Sequence, residues 1–129
     1  MLYCSTSLWS ADLANLESEI RRMEPYTDRF HFDVTDGQYV KELLFFPDLV
    51  QALRKHTTIP FEVHLIAKEP IIWIQPFVEA GADIIIFCFD SSRGPGSHNQ
   101  SDKGSWKAGG YFPQNSRAHR PAPTVLGGT

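Results

Sequence analysis

Residues 30 to 37 read Phe30-His31-Phe32-Asp33-Val34-Thr35-Asp36-Gly37. Phe30 to Val34 is predicted to be a short strand, and its side-chain period of two places His31 and Asp33 on one face. Asp36-Gly37 is a turn signal that ends it.

Outward from this strand the chain alternates strand and helix. On the N-terminal side, Leu2 to Ser7 is an apolar strand. Ala11 to Met23 carries Leu13, Leu16, Ile20 and Met23 at helical spacing, with Glu17 four residues before Arg21 and Ser10 as a candidate N-cap. On the C-terminal side, Pro47 to Lys55 is a helix with Leu49, Val50 and Leu53 on one face, and Phe61 to Ile66 is a strand. Pro70 opens a further helix that Gly81 ends, and Pro76 inside it is expected to kink it. Ile84 to Phe89 is an unbroken apolar run, which suits a parallel strand covered on both faces. The order βαβαβαβ predicts right-handed crossovers and a parallel sheet.

Near Ser91 the composition changes. Seven of the nine glycines lie beyond it, together with Pro95, Pro113, Pro121 and Pro123, and the few large apolar residues there carry no period. Such a stretch buries too little surface to offset its ordering entropy and is expected to be disordered. The chain therefore divides into an α/β unit over 1–90 and an irregular tail over 91–129. Its 129 residues are too few for an eight-stranded α/β barrel, which takes roughly 250.

A formal charge of −3 offers no basic stripe for nucleic acid, and the longest apolar run is far short of the roughly 20 residues of a membrane span. Met1 to Ser5 has no basic region or cleavable apolar core, so a cytoplasmic location is expected, with no membrane partner. Cys4 and Cys88 sit in apolar sequence and read as buried, reduced thiols.

His64 falls near the C-terminal end of the strand after His31 and Asp33. Strand ends at that rim carry the chemistry of parallel barrels, and two imidazoles with one carboxylate would suit a divalent cation. A structural role for each histidine remains the alternative on pattern alone.

Four segments then resemble the ribulose-phosphate 3-epimerase family, in order and spacing. Ser7-Leu8-Trp9-Ser10-Ala11-Asp12-Leu13-Ala14-Asn15-Leu16 is similar to that family's opening strand and loop. His31 to Gly37 resembles its His-x-Asp-x-Met-Asp-Gly segment. Val63-His64-Leu65 resembles its third-strand histidine, and Ala80-Gly81-Ala82-Asp83 the turn before its fourth strand. The resemblance implies that residues 1–90 are the N-terminal half of a (β/α)8 TIM barrel that binds ribulose phosphates. It implies His31, Asp33 and His64 as ligands of one divalent cation (Zn, Fe, Mn or Co), Asp33 also as a catalytic acid/base, and Ser7 as a substrate contact. The implied reaction is 3-epimerisation of a ketose phosphate of the ribulose/xylulose 5-phosphate type, through an enediolate. Two carboxylates on opposite faces are needed, since one base alone restores the starting stereochemistry.

The second aspartate and the glycine-rich phosphate loops of the family have no counterpart in this sequence; Asp90 and Asp102 do not match. Thr35, Leu65 and Ile66 stand where the family often carries methionines, and Lys41 to Pro47 departs from its usual loop. The tail is compatible with a +1 reading frame of an epimerase gene, since one permitted product of residues 97–116 is a helix, an Ala-Gly turn and a strand. Such a chain is expected to be truncated and inactive. The alternative is a non-catalytic metal-binding or assembly protein of epimerase descent. Half a barrel leaves sheet edges and apolar surface open, which favours homo-oligomers.

Overall fold

The computed structural model describes residues 2–90 and 106–111. Strand β1 (Ser5–Ser7) leads through a 3-10 turn at Leu13–Asn15 into helix α1 (Leu16–Met23). Then follow β2 (Arg29–Asp36), the short β3 (Leu43–Leu44), α2 (Pro47–Arg54), β4 (Phe61–Ile66), α3 (Ile71–Ala80), β5 (Ile84–Asp90) and β6 (Trp106–Tyr111). One sheet runs β1-β2-β4-β5-β6, with β3 paired to β2 off this path. The pairs β1·β2, β2·β4 and β4·β5 are parallel, as the βα alternation predicts.

Two additions were not legible as strands. Leu43–Leu44 pairs antiparallel with the end of β2. Trp106–Tyr111 pairs antiparallel with β5 over Ile85–Asp90. The latter lies in the stretch whose composition predicts no regular structure, and it covers the β5 edge that was expected to stand open. The rest of the tail, with Asp102, lies outside the described residues.

The boundaries of the first helix also differ from expectation. Asp12, rather than Ser10, caps the entry. Its Oδ1 accepts the Ala14 amide at 3.1 Å and its Oδ2 the Asn15 side-chain amide at 2.8 Å, holding Leu13–Asn15 as a 3-10 turn. Leu13 is consequently half exposed, and Leu16 and Ile20 are the side chains that α1 buries. Glu17 and Arg21 pair at 2.7 Å on the exposed side, a contact worth only a few tenths of a kcal/mol, about 0.3–0.5. Gly81 ends α3 as expected, at φ 106°, with its amide donating to the Phe77 and Val78 carbonyls. The helix runs through Pro76, whose missing N–H leaves the Ile72 carbonyl without a helical donor. Cys4 is exposed, against the expectation of a buried thiol, because the segment before Ser5 is not part of the sheet.

The sheet has two unlike faces. Phe30, Phe32 and Val34 of β2, Phe61, Val63 and Leu65 of β4 and Ile85 of β5 form one core with Leu16, Ile20, Val50, Leu53 and Phe77 of the helices. Phe45 joins it at φ 47°, a conformation unfavourable for a bulky residue, with its ring edge-on to Phe32 at 5.5 Å. At the N-terminal end of the strands Arg54 donates to Asp83 at 3.0 Å and to the Thr57 and Ile59 carbonyls at 2.7 Å each. Its guanidinium lies 3.8 Å over the Phe61 ring. This knot joins α2, β4 and the turn before β5.

Candidate metal centre

The strand period carries Arg29, His31 and Asp33 of β2 to the face opposite the core. Parallel register aligns His31 with Glu62 and Asp33 with His64, so both residues of β4 share that face. Ser7 aligns with His31 from the other side. The result is a row of polar side chains on three adjacent strands, partly shielded rather than packed.

Within this row His31, Asp33 and His64 converge. One ligand atom from each lies within 4.8 Å of the other two. His31 Nε2 is 3.0 Å from Asp33 Oδ1, and His64 Nδ1 is 3.2 Å from the same oxygen. The two imidazoles meet edge-on, with ring centroids 5.7 Å apart. An ion bound at roughly 2.0–2.2 Å from nitrogen and carboxylate oxygen needs ligand atoms at about these separations. Among the described residues no other cluster of three such side chains occurs.

Glu62 was not legible as a site residue. It is 7% exposed and its Oε1 stands 2.8 Å from His31 Nδ1. Its other oxygen, Oε2, accepts from Arg29 Nη1. A carboxylate two residues before a candidate ligand histidine on a strand is the available signal, but only the register shows which ring it meets. His31 therefore has a carboxylate oxygen at each ring nitrogen. A neutral imidazole carries one N–H and can satisfy one of them. The ring is an imidazolium serving both, or a neutral imidazole whose single N–H serves Glu62 or Asp33; with the proton on Nδ1, the Nε2 lone pair is free for a cation. The donor set fits a divalent ion on this ground.

The electrostatics agree with the geometry. The hydrogen bond to Glu62 makes the His31 imidazole more basic than usual, against the opposing effect of burial, and the Asp33 charge adds to it. Burial pushes the Glu62 carboxyl up, but hydrogen bonds from His31 and Arg29, and their charges, outweigh it and hold the group below the usual range.

Ser7 does not join the three. It is exposed, and its Oγ accepts the Trp9 amide at 3.3 Å. Thr35, two residues past Asp33, is buried with Oγ1 lacking a partner. A cleft of about 730 Å³ lies elsewhere, on the helix side, lined by Leu13, Val34, Phe46, Ile72 and Trp73 among others. It contains none of the three converging residues; its lining is mostly apolar, with Asp36, Gln38, Lys68 and Glu69 among its polar members.

Asp36 braces the rim. Burial raises its carboxyl pKa, but the Lys68, Tyr39 and Gln38 amides donate to it and hold it below the ordinary value. A carboxylate more acidic in the folded than in the unfolded chain stabilises the fold above the unfolded pKa of about 3.9 and stops doing so as pH falls through the folded value. The urea midpoint of Asp36→Asn is expected below that of the wild type by a constant amount from pH 5 to 7. The gap should narrow towards pH 3; a gap that widens on acidification contradicts the role.

Fold and site together define part of a parallel α/β barrel in which three candidate cation ligands converge on the polar face of the sheet. A family model described as the ribulose-phosphate 3-epimerase family matches residues 3–104. The chain belongs to that family. It is 41% identical over 86 residues to the ribulose-phosphate 3-epimerase of Bacillus subtilis (strain 168), covering 66% of this chain and 40% of that protein. It is 39% identical over 91 residues to the Schizosaccharomyces pombe enzyme of the same name, covering 67% and 40%. It is 36% identical over 88 residues to the cytoplasmic isoform from Oryza sativa subsp. japonica, covering 67% and 39%. The chain thus spans about two fifths of the length of these curated relatives. Among the described residues no helix is long and apolar enough to cross a membrane.

Proposed function

We propose that the protein carries the metal-holding half of a ketose-phosphate 3-epimerase, with His31, Asp33 and His64 as cation ligands and Asp33 as one acid/base. The observation that carries this is the meeting of three ligand atoms on one face of the sheet, within 4.8 Å of one another. When bound, a divalent cation (Zn, Fe, Mn or Co) supplies Lewis-acid stabilisation of charge developing on the substrate's C2 and C3 oxygens. Asp33 then takes the C3 proton and returns it on its own face, while Ser7, aligned with His31, contacts the phosphorylated ketose. Residues 1–90 form the barrel-derived unit, and 91–129 lie beyond the composition break.

Isomerase chemistry of the pentose phosphate pathway, in the cytoplasm, suits this reading. Exposed Ile71, Ile72 and Leu43, between 57% and 79% accessible, support self-association into a homo-oligomer. No side chain of this sequence matches the family's second aspartate. The 129-residue polypeptide alone is therefore expected to remove and restore the C3 proton without inverting it.

The test is ribulose 5-phosphate in deuterium oxide with the zinc-loaded polypeptide, followed by NMR. Deuterium at C3 with configuration retained is the expected result. Conversion to xylulose 5-phosphate at the rate of an intact epimerase contradicts the missing second acid. Exchange no faster than with zinc alone favours the second reading, a non-catalytic metal-binding protein of epimerase descent.

A further inference from the structure

Among the described residues, Glu62 is the buried carboxylate of the polar face that the proposed reaction does not use. Its two oxygens point to different partners: Oε2 accepts from Arg29 Nη1, and Oε1 stands 2.8 Å from His31 Nδ1. With 7% of its surface exposed, little water competes for either oxygen. We propose that Glu62, clamped by Arg29, is a positioning residue that keeps the His31 proton on Nδ1 and so presents the Nε2 lone pair to the cation. This inference rests on the metal reading above.

A neutral His31 can hold its proton on Nδ1 or on Nε2. The Nε2–H form would donate to Asp33 Oδ1, 3.0 Å away, and would place a hydrogen where the ligand atoms of Asp33 and His64 meet. It would also set the Nδ1 lone pair against the Glu62 oxygen. The Nδ1–H form removes both faults in one step, since Glu62 then accepts and Nε2 is bare. Arg29 matters because it fixes the rotamer of the carboxylate, and it supplies a positive charge that an unpaired Glu62 would lack. Outer partners of this kind set ligand tautomer and orientation, and their loss lowers metal affinity by about 10–100-fold.

The experiment uses the 129-residue chain with zinc(II) as probe. Zinc affinity is measured by competition with a chromophoric chelator for the wild type and for Glu62→Gln. The side-chain tautomer of His31 is read from two-bond proton–nitrogen correlations, with and without zinc. Glu62→Gln keeps the size of the side chain, and its amide can turn its NH2 towards Nδ1. The expected results are a proton on Nδ1 of His31 in the wild type, zinc binding about 10–100-fold weaker in the variant, and a shift of the zinc-free variant towards the Nε2–H form. Affinity within twofold of wild type, in a variant whose amide spectrum shows it folded, overturns the proposal. A wild-type His31 protonated on Nε2 overturns it too, and this measurement decides alone if the variant does not fold. A wild type that takes up no zinc contradicts the metal reading itself; the tautomer of the zinc-free protein above the His31 titration then judges Glu62 by the same two outcomes.

Discussion

Replacing Asp33 with alanine is expected to weaken zinc binding by more than about 100-fold, beyond the range associated with outer-shell partners, while the fold survives. The size follows from position. Asp33 Oδ1 is the atom on which both imidazoles converge, at 3.0 Å and 3.2 Å. Without it two neutral nitrogens remain, and no negative charge among the three offsets that of the ion. Survival of the fold follows from the face the side chain occupies. Asp33 stands 14% exposed on the polar side of β2, while the core is built from Phe30, Phe32 and Val34 on the other side. Zinc titration and the amide spectrum of the variant check the two halves separately. Binding within threefold of wild type would remove Asp33 from the site.

Phe32→Ala is expected to have the largest effect on stability, about 3–5 kcal/mol. Phe32 is fully buried, tilted against Phe61 at 4.7 Å and edge-on to Phe45 at 5.5 Å. Truncation removes the transfer energy of the ring and leaves a cavity between two strands. It also takes away the contact that holds Phe45 at positive φ, so the loop before α2 should loosen with it. A loss of this size is a large share of the roughly 5–15 kcal/mol by which small domains are stable. Urea unfolding followed by circular dichroism measures it. A change below about 1 kcal/mol, far under the range for a buried aromatic, would mean that the Phe32–Phe45–Phe61 cluster is not the centre of the core.

The strands that hold the site were legible because their signals are local. Phe61–Ile66 forms as read, and the alternation around His31 and Asp33 is enough to fix their common face. Gly81 was legible because a helix that stops in the left-handed region selects glycine. Glu62 was not, because its role depends on register between β2 and β4, which no spacing within one strand reveals. Asp12, not Ser10, is the cap because its carboxylate serves both an amide N–H and the Asn15 side chain, and Ser and Asp have similar cap propensities that do not rank them. Leu43–Leu44 and Trp106–Tyr111 pair antiparallel at the margins of the sheet. Their pairing is specified by the partner strand, and two residues, or a run holding Gly109 and Gly110, carry almost no strand signal of their own.

Two kinds of residue therefore share each strand. One set, Phe30, Phe32, Phe61 and Val63, packs in the core, and the other, His31, Glu62, Asp33 and His64, lines the opposite face with polar groups. The sheet couples them, since one rigid pair of strands aligns both rows.

Zinc-edge X-ray absorption on the loaded chain reads the ligands of the ion themselves. Two imidazole nitrogens and a carboxylate oxygen are expected at about 2.0–2.2 Å from the metal, with one imidazole lost in each of His31→Ala and His64→Ala. A sulfur ligand, or a spectrum unchanged by either substitution, would place the ion elsewhere and contradict a centre built on His31, Asp33 and His64.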